Sequence, residues 1–227
     1  MKPINNTVDD LFQPKELAAD EYLNKADGLI YCSKCHTPRQ HRIELKERVF
    51  FPTVRCRCQQ EEYDKHEAER KHQEFLMQVS RLRANGLQDK SLHDYNFTND
   101  KGYNPEIQKA HDYVAHWEEM KANSLGLLLW GDVGTGKSFF AGCIANALLD
   151  KGIPVLMTNF SRILNTLTGM YSDDRNQFID SFNKYSLLII DDLGIERSSE
   201  FALEQVFNVI DSRYRSKKPL IVTTNLT

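Results

Sequence analysis

The octapeptide Gly131-Asp132-Val133-Gly134-Thr135-Gly136-Lys137-Ser138 narrows what this chain can fold into more than any other feature. It fits G-x-x-x-x-G-K-[ST] and lies between an apolar run of strand length, LGLLLW (125–130), and a helix-like stretch, KSFFAGCIANALLDKG. Glycines let main-chain N–H groups, here from Gly131 through Phe139, converge on phosphate oxygens, and a helix N-terminus adds partial positive charge. Lys137 is then placed to bridge β- and γ-phosphates and Ser138 to offer its hydroxyl to Mg²⁺. Three more apolar runs, PVLMTN (154–159), SLLIID (186–191) and PLIVTTN (219–225), alternate with helical stretches. Strand, helix, strand repeated in this way predicts an α/β fold, a parallel sheet with right-handed crossovers flanked by helices.

Two further elements fit the same pocket. The run Leu187 to Ile190 ends in Asp191 and Asp192, the pattern of a strand delivering carboxylates beside a phosphate loop. Asp191 suits Mg²⁺, which keeps several waters and accepts few protein carboxylates. Asp192 suits the orientation or deprotonation of an attacking water. Asn225 closes the last run, where a polar tip reaches a γ-phosphate. Each element alone has a plain structural reading, and their order along the chain makes the case.

Cys32, Cys35, Cys56 and Cys58 cluster, while Cys143 stands apart on the helix after the loop, where a small buried hydrophobe is expected. Two closely spaced pairs suit a tetrahedral zinc site of four thiolates, with redox thiols or unliganded cysteines as alternatives. The stretch HRIELKERVFFPTVRCRC reads as a β-ribbon that returns the second pair to the first. Between 32 and 58 seven Lys and Arg oppose two Glu, with Phe50 and Phe51 interleaved. Such a positive knob suits either a phosphate backbone with single-stranded bases or an acidic protein surface.

From Gln59 to Arg83 no Gly or Pro occurs, charges alternate, and Phe75, Val79 and Leu82 recur at helical spacing. This predicts a solvated helix ending near Asn85-Gly86, a spacer or a self-association element. Before Ile30, helical turns are expected around Val8, Leu11, Phe12 and Leu17. The chain thus divides into an N-terminal helical segment (1–29), a zinc module (30–58), a linker helix (59–90) and a phosphate-loop core (91–227). No run approaches the about 18 apolar residues of a membrane span, and the acidic start does not read as a secretory signal, which points to the cytoplasm with no membrane partner. With 29 Lys and Arg against 32 Asp and Glu, nucleic acid could be held only through a local patch.

GDVGTGKS (131–138), LLIIDDLG (187–194), SRYRSKKPLIVTTN (212–225) and the cysteine module resemble the DnaC/DnaI-type, IstB-like replicative helicase loaders, a branch of the AAA+ ATPases. The resemblance implies ATP, Mg²⁺ and Zn²⁺ as cofactors, a primosome role in DNA replication, and a hexameric helicase, single-stranded DNA and a homo-oligomer as partners. It places DNA contacts around Ser161, Arg162 and Tyr171, and an aromatic, Phe97, at the edge of the nucleotide pocket. Tyr171 could equally pack into the core or stand exposed. Family members continue past the third motif with a fifth strand and an arginine finger, so this chain, ending at Thr227 with Arg213 and Arg215 poor substitutes, is expected to bind ATP and hydrolyse it weakly. A transposition ATPase and a non-catalytic zinc adaptor are the competing readings.

Overall fold

Alternation along the four apolar runs builds the larger of two units, residues 75–227, the other being 1–74. The computed structural model describes residues 17–45, 48–102, 104–194 and 199–226. In the larger unit, β5 (Leu127–Trp130), β6 (Val155–Asn159), β7 (Leu187–Leu193) and β8 (Leu220–Thr224) form a parallel sheet of order β5-β8-β7-β6. Successive strand side chains point to opposite faces. Val155, Met157, Leu187, Ile189 and Ile221 therefore pack with α2 (Ile107–Ala115), α3 (Trp117–Ala122) and α4 (Lys137–Asp150). Leu156, Leu188 and Ile190 face the opposite layer, α5 (Phe160–Thr168), α6 (Ser172–Ser181) and α7 (Glu200–Arg215). This is the three-layer α/β arrangement expected from the sequence. Among the described residues β5 pairs only with β8, and Leu128 and Trp130 are exposed.

A buried asparagine fastens the segment before α2 to the phosphate-loop helix. Asn146 Nδ2 donates to Leu92 O (2.8 Å), Tyr95 O (2.9 Å) and Gly142 O (3.1 Å). Tyr95 lies so close to Gly142 that a Cβ there would sit 2.6 Å from the tyrosine ring, so only glycine lets the segment lie flat on α4. Cys143 is fully buried in the same helix, as expected, and burial pushes its thiol up to about 12.

Arg213 holds the opposite end of the sheet. It is 1% exposed, and its guanidinium donates to Phe182 O, Tyr185 O, Ser186 O and Pro219 O, all just before β7 and β8 begin. Burial pulls its pKa down to about 10, which leaves it a cation at neutral pH. No residue without several donors can satisfy these carbonyls. Arg213→Met is expected to lower unfolding free energy by about 3 kcal/mol in urea titrations, the cost of stranding several buried acceptors. Arg215 is exposed and pairs with Asp211 at 2.9 Å.

The smaller unit departs from the sequence expectation at its start. Residues 21–23, assigned to a helical segment, form β1 (Glu21–Leu23), antiparallel to β2 (Ile30–Cys32). The reason lies further along the chain: Asp20 and Glu21 are pinned to Arg39, and Gly28 (φ 72°) turns β2 back onto β1. Leu17 is exposed, and Val8, Leu11 and Phe12 lie outside the described residues. The expected β-ribbon is present as β3 (Ile43–Leu45) paired with β4 (Arg48–Phe50). Beyond it α1 spans Arg57–Gly86, so the helix expected from Gln59 starts two residues earlier and stops at Asn85-Gly86 as its sequence implies. Among the described residues no helix is long and apolar enough to cross a membrane.

Candidate functional site

Because the four strands are parallel, the turns after β5, β7 and β8 gather at one end of the sheet, where open α/β sheets bind ligands. Thr224 is the register partner of both Trp130 and Leu193, so β8 delivers Asn225 between the loop after β5 and the carboxylates of β7. Asn225 is exposed at that tip.

Residues 131–136 form the turn, with Gly131 (φ 143°), Gly134 (φ 85°) and Gly136 (φ 85°) all at positive φ. Gly136 caps α4, so the first-turn N–H groups of Lys137, Ser138 and Phe139 lack helical acceptors and supply a donor set suited to phosphate oxygens. Lys137 Nζ donates to Gly131 O and Asp132 O, each at 2.8 Å, which holds the ammonium over the turn. Thr135 Oγ1 donates to Asp132 O at 2.9 Å. Asp132, Val133, Gly134 and Thr135 are exposed, and Lys137, Ser138 and Phe139 are half-buried. This combination of main-chain donors, an adjacent ammonium and a hydroxyl fits a magnesium-bound triphosphate.

At the end of β7 the strand is irregular. The register with β8 shifts between Ile190 and Leu193, and Asp192 takes φ +53°. Thr223, fully buried on β8, accepts from Asp192 N at 2.8 Å and donates to Asp191 Oδ1 at 2.6 Å. Sequence reading passed over Thr223, since a threonine inside an apolar strand gives no sign of what its hydroxyl meets. Asn146 was missed for the same reason.

Phe97 sits in a 3₁₀ turn (Phe97–Asn99), packs against the α2–α4 core, and stacks on His111 with centroids 3.7 Å apart. Ser161 and Arg162 are exposed at the start of α5. Arg162 donates to Gln88 Oε1 at 2.9 Å and lines a cavity of about 200 Å³ with Thr158, Thr166, Lys184 and Tyr185. Tyr171 is 84% exposed, which decides against a core role.

The four cysteines of the smaller unit converge because the ribbon folds back. Gln40 bridges to Thr53, and Val54 N donates to Arg39 O at 2.8 Å, returning Cys56 and Cys58 to Cys32 and Cys35. Their sulfurs all lie within 4.8 Å of one another, with Cys32 to Cys58 at 3.7 Å and Cys56 to Cys58 at 3.3 Å. Tetrahedral Zn–S bonds of about 2.3 Å put sulfurs about 3.8 Å apart, so the cluster fits zinc. Thr37 hydrogen-bonded to Cys35 pulls that thiol down to about 5. Arg39 donates to Cys32 Sγ at 3.5 Å while its ion pairs with Asp20 (2.5 Å) and Glu21 (3.0 Å) hold it in place. Arg39 is thus buried beside the thiols and drops out of the knob's surface charge, where the sequence count had included it. Arg42 pairs with Glu44 at 2.7 Å, and Arg55 stacks on Tyr63.

The model of the IstB-like ATP binding protein family matches residues 52–227. The chain belongs to this family. The IstB-like chain is 29% identical over 122 residues to the replicative helicase loader DnaC of Escherichia coli K12, covering 52% of this chain and 49% of that one. It is 31% identical over 100 residues to an ATP-binding protein in an insertion sequence of Mycobacterium tuberculosis, covering 44% and 40%. The match spans about half the length of these relatives or less. Among solved structures, DnaI aligns at TM-score 0.52 and 25% identity over 63% of this chain and 78% of that one. The DnaC helicase loader aligns at TM-score 0.53 and 23% identity over 61% and 81%, a likeness of fold.

Proposed function

We propose that this IstB-like protein is an ATP-controlled loader that brings a hexameric replicative helicase to single-stranded DNA in the cytoplasm. The observation that carries the reading is the gathering of Lys137, Asp191, Asp192 and Asn225 at one end of the sheet, in a chain similar to DnaC and DnaI. Main-chain amides from Gly131 to Phe139 bind the phosphates, and Lys137 neutralises their charge. Ser138 and Asp191 hold Mg²⁺, which when bound screens the triphosphate and polarises its γ-phosphoryl group. Asp192 orients the water, and Asn225 reports whether a γ-phosphate is present. Phe97 forms a wall of the nucleotide pocket.

The exposed Ser161, Arg162 and Tyr171 supply the DNA-facing surface, with the bare tyrosine ring as a stacking platform. The four-cysteine module, folded by zinc, grips the helicase. A second reading, a transposition ATPase acting on duplex DNA, is favoured by the likeness to the insertion-sequence protein.

Co-purification with a hexameric replicative helicase decides between them. Retention of the helicase that changes at least fivefold between Mg·ATP and Mg·ADP is the expected outcome. Retention on duplex DNA with no helicase captured in either state would replace the loader reading by the transposition one.

A further inference from the structure

A buried hydroxyl inside a parallel strand needs a hydrogen-bond partner, and what it meets shows what it does there. Thr223 is fully buried in β8, among Ile221, Val222 and Thr224, where an apolar β-branched side chain would pack equally well. What it faces is the irregular end of β7. Ladder pairing runs from Leu188 to Ile190 and resumes at Leu193, so Asp191 and Asp192 together oppose Thr223, a bulge of two residues against one. Regular alternation would point the two carboxylates to opposite faces of the sheet. The bulge, with Asp192 at φ +53°, breaks that alternation at a position where a side chain other than glycine is strained.

Thr223 Oγ1 ties both halves of the irregularity together. It accepts from the Asp192 N–H at 2.8 Å and donates to Asp191 Oδ1 at 2.6 Å. The amide N–H can only donate and the carboxylate can only accept, so the hydroxyl's one proton goes to the carboxylate and the direction of both bonds is fixed. Asp191 Oδ1 is thereby engaged by β8, which distinguishes it from Oδ2, the oxygen that Thr223 does not hold. We propose that Thr223 is the positioning residue of the magnesium-binding carboxylate: it sets which oxygen of Asp191 meets the metal's water shell and stabilises the left-handed bend that aims Asp192. The proposal deepens, and rests on, the reading of this end of the sheet as a Mg·ATP site. Sheet packing alone would accept valine at 223; the two hydrogen bonds require serine or threonine.

The test is a titration of the full chain with a fluorescent ATP analogue, in EDTA and across a series of Mg²⁺ concentrations. Thr223→Val keeps shape and strand propensity and removes the hydroxyl. It is expected to raise the Mg²⁺ concentration at half-maximal effect about tenfold, the loss of one charge-assisted hydrogen bond, while affinity in EDTA moves far less. Thr223→Ser is expected to recover most of the magnesium effect. In an Asp191→Asn background Thr223→Val should add little, because the carboxylate it orients is already gone.

Asp192→Gly removes the strain of positive φ, so Asp192→Gly/Thr223→Val is the folded comparison if Thr223→Val alone melts early. Measured against Asp192→Gly, the double variant should still show the magnesium defect. A folded Thr223→Val chain, or that double variant, with the magnesium dependence of its reference would overturn the proposal and leave the Mg·ATP site standing. A wild-type chain whose ATP affinity ignores Mg²⁺ would overturn both.

Discussion

Lys137→Ala is expected to weaken binding of Mg·ATP at least a hundredfold in equilibrium titrations. The ammonium is held over the phosphate turn by Gly131 O and Asp132 O, half-buried and already placed. Little conformational entropy is left to lose when phosphate oxygens replace those carbonyls as its partners. Two charge-assisted hydrogen bonds contribute about 3 kcal/mol, which corresponds to about a hundredfold in affinity. Thermal unfolding of the variant without nucleotide should stay within a few degrees of wild type, since the bonds lost there join a surface loop to itself. Equal nucleotide affinity of the two proteins would remove the phosphate loop from any functional account and leave the adaptor reading in its place.

Zinc is expected at one equivalent per chain, and its removal should unfold the cysteine module while the parallel sheet persists. In the smaller unit the buried hydrophobic residues among those described are Ile30, Cys32 and Cys56, with Arg39 beside them. So small a core cannot offset the entropy of ordering its strands, and metal binding becomes folding energy, about 10 kcal/mol or more for a structural site. Chelation followed by limited proteolysis should cleave between residues 30 and 58 first and spare the sheet unit. Cys56→Ser should reproduce that pattern without chelator. A chelated protein as resistant there as the metal-loaded one would refute a zinc-built fold. Helicase capture should fall together with the module if that module is the grip.

The expected architecture was legible because it rests on local rules. Apolar runs bounded by glycine and proline mark strands, and four of them separated by helices leave few options besides a parallel sheet. The return of Cys56 and Cys58 toward Cys32 and Cys35 was likewise readable from a ribbon flanked by two cysteine pairs. The segment around Glu21 was not, because its strand depends on Arg39, well along the chain, pulling Asp20 and Glu21 into place. A long-range ion pair leaves no periodic trace in the sequence.

At the candidate site, chemistry and position separated in the same way. The residue types of the phosphate loop and the acidic strand end follow from motif spacing, since backbone convergence on phosphate needs glycine at set intervals. Tyr171 was open between core and surface, and only the packing of Ile163 and Leu167 without it settled the matter. Arg213 read as one more basic residue before a strand, yet its guanidinium is the buried anchor of two strand ends.

What the sequence determined by itself is therefore the kind of sheet, the loop that can hold a triphosphate and the four thiols that can hold zinc, all set by patterns within short windows of chain. Only the tertiary structure decided that Thr223 meets Asp191 and Asp192, that Asn146 and Gly142 seat the segment before α2, and that Arg39 stands beside the thiols. A hydrogen bond between strands depends on register and on a bulge, and neither is written in the residues of one strand alone.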